Sequence, residues 1–271
     1  MRLWICGLIF LVAMPDAGPA FAWGGDNHRT ICAIAWEETT PDARTRIAEL
    51  LGLDGRDAFA ESCLWADEYR DQGHPETAGW HYVNVPPGAV AIDLARDCKE
   101  PASCALIQIA RQIAILQGKA PVPEKTMALK FLAHIASDLH QPLHAGHAED
   151  RRGGTFKGTF LGQPYDFHWL WDDGLTTALH RPWRDIANEL RVKTTRDQRR
   201  AWIASKPLDW ANESLALANS PGVDYADHGK PFELGADYQQ KQLPIIFDRL
   251  SRAGMRLGSL LTQALDSKVS R

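Results

Sequence analysis

The sequence predicts a mainly α, single-domain protein, and three observations carry that expectation. Apolar residues recur at helical spacing over long stretches, most clearly at Ile107, Ile109, Ile113 and Leu116. Start and stop residues mark helix boundaries: Thr40-Pro41-Asp42 supplies a capping hydroxyl, a proline and an acid, and Gly52 closes the segment. Strand-like composition is sparse, clearest in one short run, WHYVNV at 80–85, which Pro86-Pro87-Gly88 ends. A chain of 271 residues can bury a sizeable core, and no internal repeat, low-complexity tract or linker divides it.

Taken in order, residues 1–22 have the build of a secretory signal. Arg2 is the charged end, Leu3 to Ala13 is an apolar run too short to span a bilayer, and Ala20-Phe21-Ala22 fits a cleavage site. The mature domain is expected to span 23–271, beginning at Trp23, in a secreted or periplasmic location. A glycine-rich start, WGGDNH (23–28), precedes an apolar-periodic segment with Ile31, Ile34 and Ala35. The helix at 40–52 follows, and residues 57–70 then carry Phe59, Cys63 and Trp65 toward Ala66-Asp67. A strong helix is expected from Ser103 to Gly118, and Pro123-Glu124 opens another that Pro142 ends near Gln141. Residues 150–164 are glycine-rich and predict a loop or small hairpin. DFHWLWDD (166–173) begins a helix toward His180, and Arg184 to about Ser267 is expected to be helical, interrupted near Pro207, Pro221, Pro231 and Pro244.

The net charge of −4 leaves no basic stripe of the kind that tracks a phosphate backbone, which counts against a DNA-binding module. It does not exclude an enzyme whose bound metal ions supply positive charge locally. Of the 5 cysteines, Cys6 falls in the signal, leaving Cys32, Cys63, Cys98 and Cys104. Four cysteines in an exported chain suggest two disulfides. Cys98–Cys104 closes a short loop, which leaves Cys32–Cys63. A cysteine-based zinc site lacks the usual paired C-x-x-C spacing.

The chemistry concentrates in FLAHIASDLHQPLHAGH (131–147), which holds four of the 10 histidines. His134 and Asp138 are one helical turn apart on one face. His144 comes from beyond the proline break and can turn back toward the same pocket. His168 and Asp172 repeat the i,i+4 spacing. With His28, Asp67 and His81 these make eight candidate ligands, more than one tetrahedral or five-coordinate zinc can use.

Five stretches together resemble the zinc-dependent single-strand-specific nuclease family of the S1/P1 type, which is related to the trinuclear-zinc phospholipases C. They are WGGDNH at 23–28, LWADEYR at 64–70, WHYVN at 80–84, FLAHIASDLHQPLH at 131–144 and DFHWLWD at 166–172. The resemblance implies three zinc ions. Asp67, His81, His134 and Asp138 would hold the first, and His144, His168 and Asp172 the second. The amino and carbonyl groups of Trp23 with His28 would hold the third, Asp138 bridging the first and third. It also implies single-stranded DNA and RNA and 3′-nucleotides as substrates, with 5′-phosphate products, in a monomer without stable membrane association. Asp67 would orient the attacking water or act as general base, and Arg70 would neutralise charge on the phosphoryl group. Tyr82 would stack an unpaired base, with Asn84 beside it; a duplex base reaches such a slot only by unstacking. His140 would support the ligands from behind.

This sequence departs from the family pattern at three places. Asn84 stands where relatives with strong base preference carry aspartate. Gly153-Gly154-Thr155 replaces G-G-N, and Asp166-Phe167-His168 replaces N-L-H. Two rival readings use the same ligands: a phospholipase C acting on phosphocholine lipids, and a non-catalytic zinc-binding protein. Against the first, Asp172 stands where a glutamate closes the second site in the phospholipases. Against the second, both Asp67 and Arg70 are present.

Overall fold

Helix α1 (Gly25–Glu38) opens the described part of the chain, and residues Ile31 to Trp36 on it are all buried. The computed structural model describes residues 23–99, 104–221, 223 and 230–266; the expected signal at 1–22 lies outside them. Thr40 caps α2 (Pro41–Leu51) by accepting from Ala43 N, and Gly52 ends it in the left-handed region at φ 65°. Two short helices follow, α3 (Arg56–Ser62) and α4 (Trp65–Asp71), the second bearing Asp67 and Arg70.

The run expected as a six-residue strand divides in two. Trp80 and His81 finish a 3-10 turn (Pro75–His81), and only β1 (Val83–Val85) is a strand. Helices α5 (Leu94–Asp97), α6 (Ala105–Gln117) and α7 (Val122–Asp138) come next. Pro142 starts a 3-10 turn through His144, as a proline in the first position allows, and β2 (Ala145–His147) follows directly. β2 pairs parallel with β1 in the register Val83↔Ala145, which sets His81 and His144 just ahead of partnered strands.

The glycine-rich stretch leads into a hairpin, β3 (Lys157–Phe160) and β4 (Gln163–Asp166). Its two-residue turn, Leu161-Gly162, has φ 49° and 76°, the left-handed pair that matches strand twist. Asp166 then caps a helical stretch made of α8 (Phe167–Trp169), a π turn (Leu170–Gly174) and α9 (Leu175–Thr177). The expected helix is therefore present, with a π turn at its centre. Helices α10 (Trp183–Lys193), α11 (Arg196–Ile203) and α12 (Pro207–Ala218) follow, Pro207 beginning α12 where a break was expected.

Two features of the last segment depart from expectation. Phe232–Leu234 forms a strand, β5, parallel to β3. Gly158 permits the approach: a Cβ there would lie 2.1 Å from the Phe232 carbonyl oxygen. The final helix α13 (Ala236–Leu265) runs unbroken through Pro244. Pro244 and Gln240, whose carbonyl loses its partner, are both exposed, so water can take the orphaned acceptor. α13 lies close against α1 because Gly254 and Gly258 carry no side chain: a Cβ would come 2.5 Å from Ile34 and 2.6 Å from Glu38, respectively. No helix among the described residues is long and apolar enough to cross a membrane.

Candidate metal centre

The last turn of α7 is the floor of the site. His134 and Asp138 are fully buried on one face, Nε2 to Oδ2 3.3 Å. His134 Nδ1 donates to the Cys63 carbonyl at 2.6 Å, which turns Nε2 toward the Asp67 and Asp138 carboxylates. That carbonyl is held by the Cys32–Cys63 disulfide, which ties α1 to the end of α3. His81 brings Nδ1 to 3.0 Å from Asp138 Oδ2 and 3.7 Å from Asp67 Oδ1, and Asp67 Oδ1 lies 3.6 Å from His134 Nε2. On the other side, His28 Nε2 lies 3.3 Å from Asp138 Oδ1, its ring stacked on His134 at 3.9 Å. The two oxygens of Asp138 thus serve different histidines.

A separate group forms from His144, His168 and Asp172. Strand pairing lets His144 Nδ1 donate to the His81 carbonyl at 2.8 Å, and His168 Nδ1 donates to the Arg152 carbonyl at 2.8 Å. Both Nε2 atoms then face Asp172, at 3.6 Å from Oδ1 for His144 and 3.3 Å from Oδ2 for His168. Gln141 steadies this carboxylate, its Nε2 donating to Asp172 Oδ1 at 2.6 Å.

The donor set fits metal cations. Buried polar atoms normally find hydrogen-bond partners. Here both ring nitrogens of His28, Nε2 of His81, His134 and His144, Oδ1 of Asp138 and Oδ2 of Asp172 have none. Three groups bring imidazole and carboxylate donor atoms within 4.8 Å of one another: His28–His134–Asp138, Asp67–His81–His134 and His144–His168–Asp172. Imidazole with carboxylate is the chemistry of zinc and related ions.

Burial sets most of the electrostatics. It lowers His28 and His168 to about 4, and lowers His81 and His144 as well, so these rings are neutral and ligand-ready at neutral pH. For His134 burial acts the same way, but the Asp138 and Asp67 carboxylates outweigh it and raise the ring well above its ordinary value. Burial alone would raise Asp67 and Asp138. The neighbouring His134 outweighs it, with His81 and Arg70 adding to the effect on Asp67, and both acids stay below the usual carboxylate range. Asp172 is pushed up to about 8, chiefly by burial. A bound cation would reverse that penalty.

The remaining sequence candidates fall on both sides of the site wall. Arg70, with its side chain only 10% exposed, holds Asp67 at 2.7 Å and Asp71 at 2.8 Å, so it is anchored in the cleft. The Tyr82 ring carries the Arg152 guanidinium 3.5 Å from its centroid, and Asn84 Oδ1 accepts from Arg152 at 2.9 Å. Trp23 is buried and its indole donates to the Ser137 carbonyl at 3.1 Å, while Gly24 N donates to the Asp172 carbonyl at 2.7 Å. The Trp23 side chain and the Gly24 backbone thereby tie the N-terminal segment to both ligand segments. His140, expected behind the ligands, turns away: Nδ1 donates to the Ala136 carbonyl and Nε2 meets the buried Arg256 at 3.1 Å, beside buried Arg249 and its partly exposed partner Glu213. Arg152 was not anticipated. Its signal was faint, a basic pair ahead of Gly153, yet Arg151 and Arg152 both hold left-handed backbone at φ 52° and 58°.

Comparison with known proteins decides the family. A model of the S1/P1 nuclease family matches residues 23–266. The chain belongs to the S1/P1 nuclease family. Among similar proteins are Endonuclease 4 of Arabidopsis thaliana, 27% identical over 99% of this chain and 97% of its own length, and Endonuclease 2 of the same plant, 27% identical over 89% and 90%. Nuclease S1 of Aspergillus oryzae is 25% identical over 89% of this chain and 91% of its own. The S1/P1 family member described here is therefore a phosphodiesterase hydrolase acting on nucleic acid, and the phospholipase reading is not favoured.

Proposed function

We propose that residues 23–271, freed of a signal at 1–22 and exported, form a zinc-dependent endonuclease of single-stranded DNA and RNA. It leaves 5′-phosphates, also removes phosphate from 3′-nucleotides, and works as a monomer without stable membrane association. The observation that carries the reading is Asp138, which splits its oxygens between His28 and the His81–His134 pair while a separate His144–His168–Asp172 group stands beside it. Asp67, His81, His134 and Asp138 would hold one zinc, and His144, His168 and Asp172 a second. His28 and Asp138 with the main chain of Trp23 would hold a third.

Zinc supplies an acidified water and a Lewis acid for phosphoryl oxygens. The protein's own groups do the positioning. Asp67 stays ionised and accepts a hydrogen bond from the attacking water, fixing its direction. Arg70, pinned by Asp67 and Asp71, presents fixed positive charge to the phosphoryl group. Tyr82 and Asn84, with Arg152 between them, contact the substrate strand.

One assay tests this reading: zinc-loaded protein offered single-stranded DNA, a 3′-nucleotide and phosphatidylcholine. The expected result is cleavage of the first two and none of the lipid. Lipid hydrolysis, or no turnover of any of the three, would overturn it.

A further inference from the structure

Beside the first ligand group the fold leaves a cavity of about 320 Å³, lined by Asp67, Glu68 and Asp71 from α4 and by Trp169 from α8. Leu64 and Arg29 complete the part of its lining that matters here. The volume suits one nucleoside and is within the range of small-molecule sites. Asp67 belongs to the ligand group, so the cavity opens from the place where the phosphodiester would sit.

Its charge excludes a second phosphate. Three carboxylates face one arginine, and Arg29 is already engaged by Glu61 at 2.9 Å and Asp26 at 3.0 Å. Asp67 and Asp71 are engaged by Arg70. Glu68 is exposed, lines the cavity and has Lys130 as a charged neighbour, so its carboxylate offers an acceptor to a site that Trp169 also lines. An uncharged planar group bearing N–H donors fits this lining.

Resting on the nuclease reading above, we infer that this cavity receives the nucleobase next to the scissile phosphate, stacked on Trp169. Glu68 accepts from its exocyclic amino group. Adenine, cytosine and guanine carry such a group; thymine and uracil do not. Stacking tolerates any base, whereas the carboxylate discriminates.

The test compares kcat/KM of wild type, Trp169→Ala, Trp169→Phe and Glu68→Gln on single strands of dA, dC and dT and on an abasic strand. Wild type should favour dA and dC over dT severalfold. Trp169→Ala should lose on the order of tenfold or more on every base-bearing strand and nothing on the abasic one, and Trp169→Phe should keep most of the rate. Glu68→Gln should erase the preference. If Trp169→Ala does not fold, the phenylalanine and glutamine variants still decide. Active wild type without preference, with Glu68→Gln unchanged, overturns this inference alone; wild type inactive on every strand overturns the nuclease reading beneath it.

Discussion

Asp138 Oδ1 stands 3.3 Å from His28 Nε2, with both side chains fully buried. Because Oδ2 of the same carboxylate faces His81 and His134, removing the charge of Asp138 strips two groups at once. Asp138→Asn keeps the shape and should lower both metal content and rate. The loss should exceed the roughly 10–100-fold typical of a residue that merely supports a ligand. His144→Ala touches one group and should cost less. Equal metal content and equal rate loss in the two variants would contradict a bridging Asp138.

Acid should weaken the metal-free protein. Burial lowers His28, His81, His140, His144 and His168, with His28 and His168 at about 4. Between about 6.5 and 4 the unfolded chain takes up protons that these folded rings refuse, so stability falls as pH falls. Asp172, raised to about 8, runs the other way and offsets one of the five, whereas the raised His134 is already protonated above this window and adds little change within it. Each of the two most depressed rings contributes on the order of 3 kcal/mol across that window. Thermal melts of chelator-treated protein should show a lower Tm at pH 4.5 than at 6.5. A flat or rising Tm on acidification would contradict the burial argument.

The two disulfides should differ in weight. Cys32–Cys63 closes 31 residues and Cys98–Cys104 closes 6. In the chain-entropy view the longer loop is worth about 3–4 kcal/mol and the shorter less. Cys63 also supplies the carbonyl that orients His134. Replacing Cys32 and Cys63 by serine should therefore lower Tm and weaken zinc binding together, whereas replacing Cys98 and Cys104 should lower Tm only. Peptide mapping that found free thiols or crossed pairing would remove the premise.

The N-terminus offers a sharper test of the third ion. Trp23 and Gly24 are anchored beside Asp138 and Asp172, so an amino group at Trp23 would lie among the ligands. Such a group has a pKa of about 7.7–8.0 and gives up its proton to metal at small cost near neutrality. A chain starting Met-Trp offers an amide instead. It should fold and lose one ion and most of the rate. Unchanged zinc and rate would show that the amino group is no ligand.

Much of the site was legible because ligand geometry repeats local periods. His134 and Asp138 meet through ordinary helical spacing. His168 and Asp172 still meet at 3.3 Å although a π turn begins between them. What escaped the sequence was set by distant partners. β5 is too short to signal itself and exists through Gly158. Pro244 reads as a break but sits where water can serve the lost carbonyl. His140 shares a segment with three ligand residues, yet the turn after Asp138 delivers it to Arg256. Arg152 gains its place from left-handed backbone and from contacts to Tyr82, Asn84 and His168 that no local pattern announces.

A metal-dependent, single-strand-specific nuclease built on three ions ties stoichiometry to substrate choice. The most direct measurement is native mass spectrometry of protein beginning at Trp23, with cleavage of matched single-stranded and duplex DNA measured on the same sample before and after chelation. Three zinc ions per chain are expected, with cleavage of the single strand far ahead of the duplex and loss of both zinc and activity to the chelator. One zinc ion or none, or cleavage that survives complete removal of metal, would contradict it.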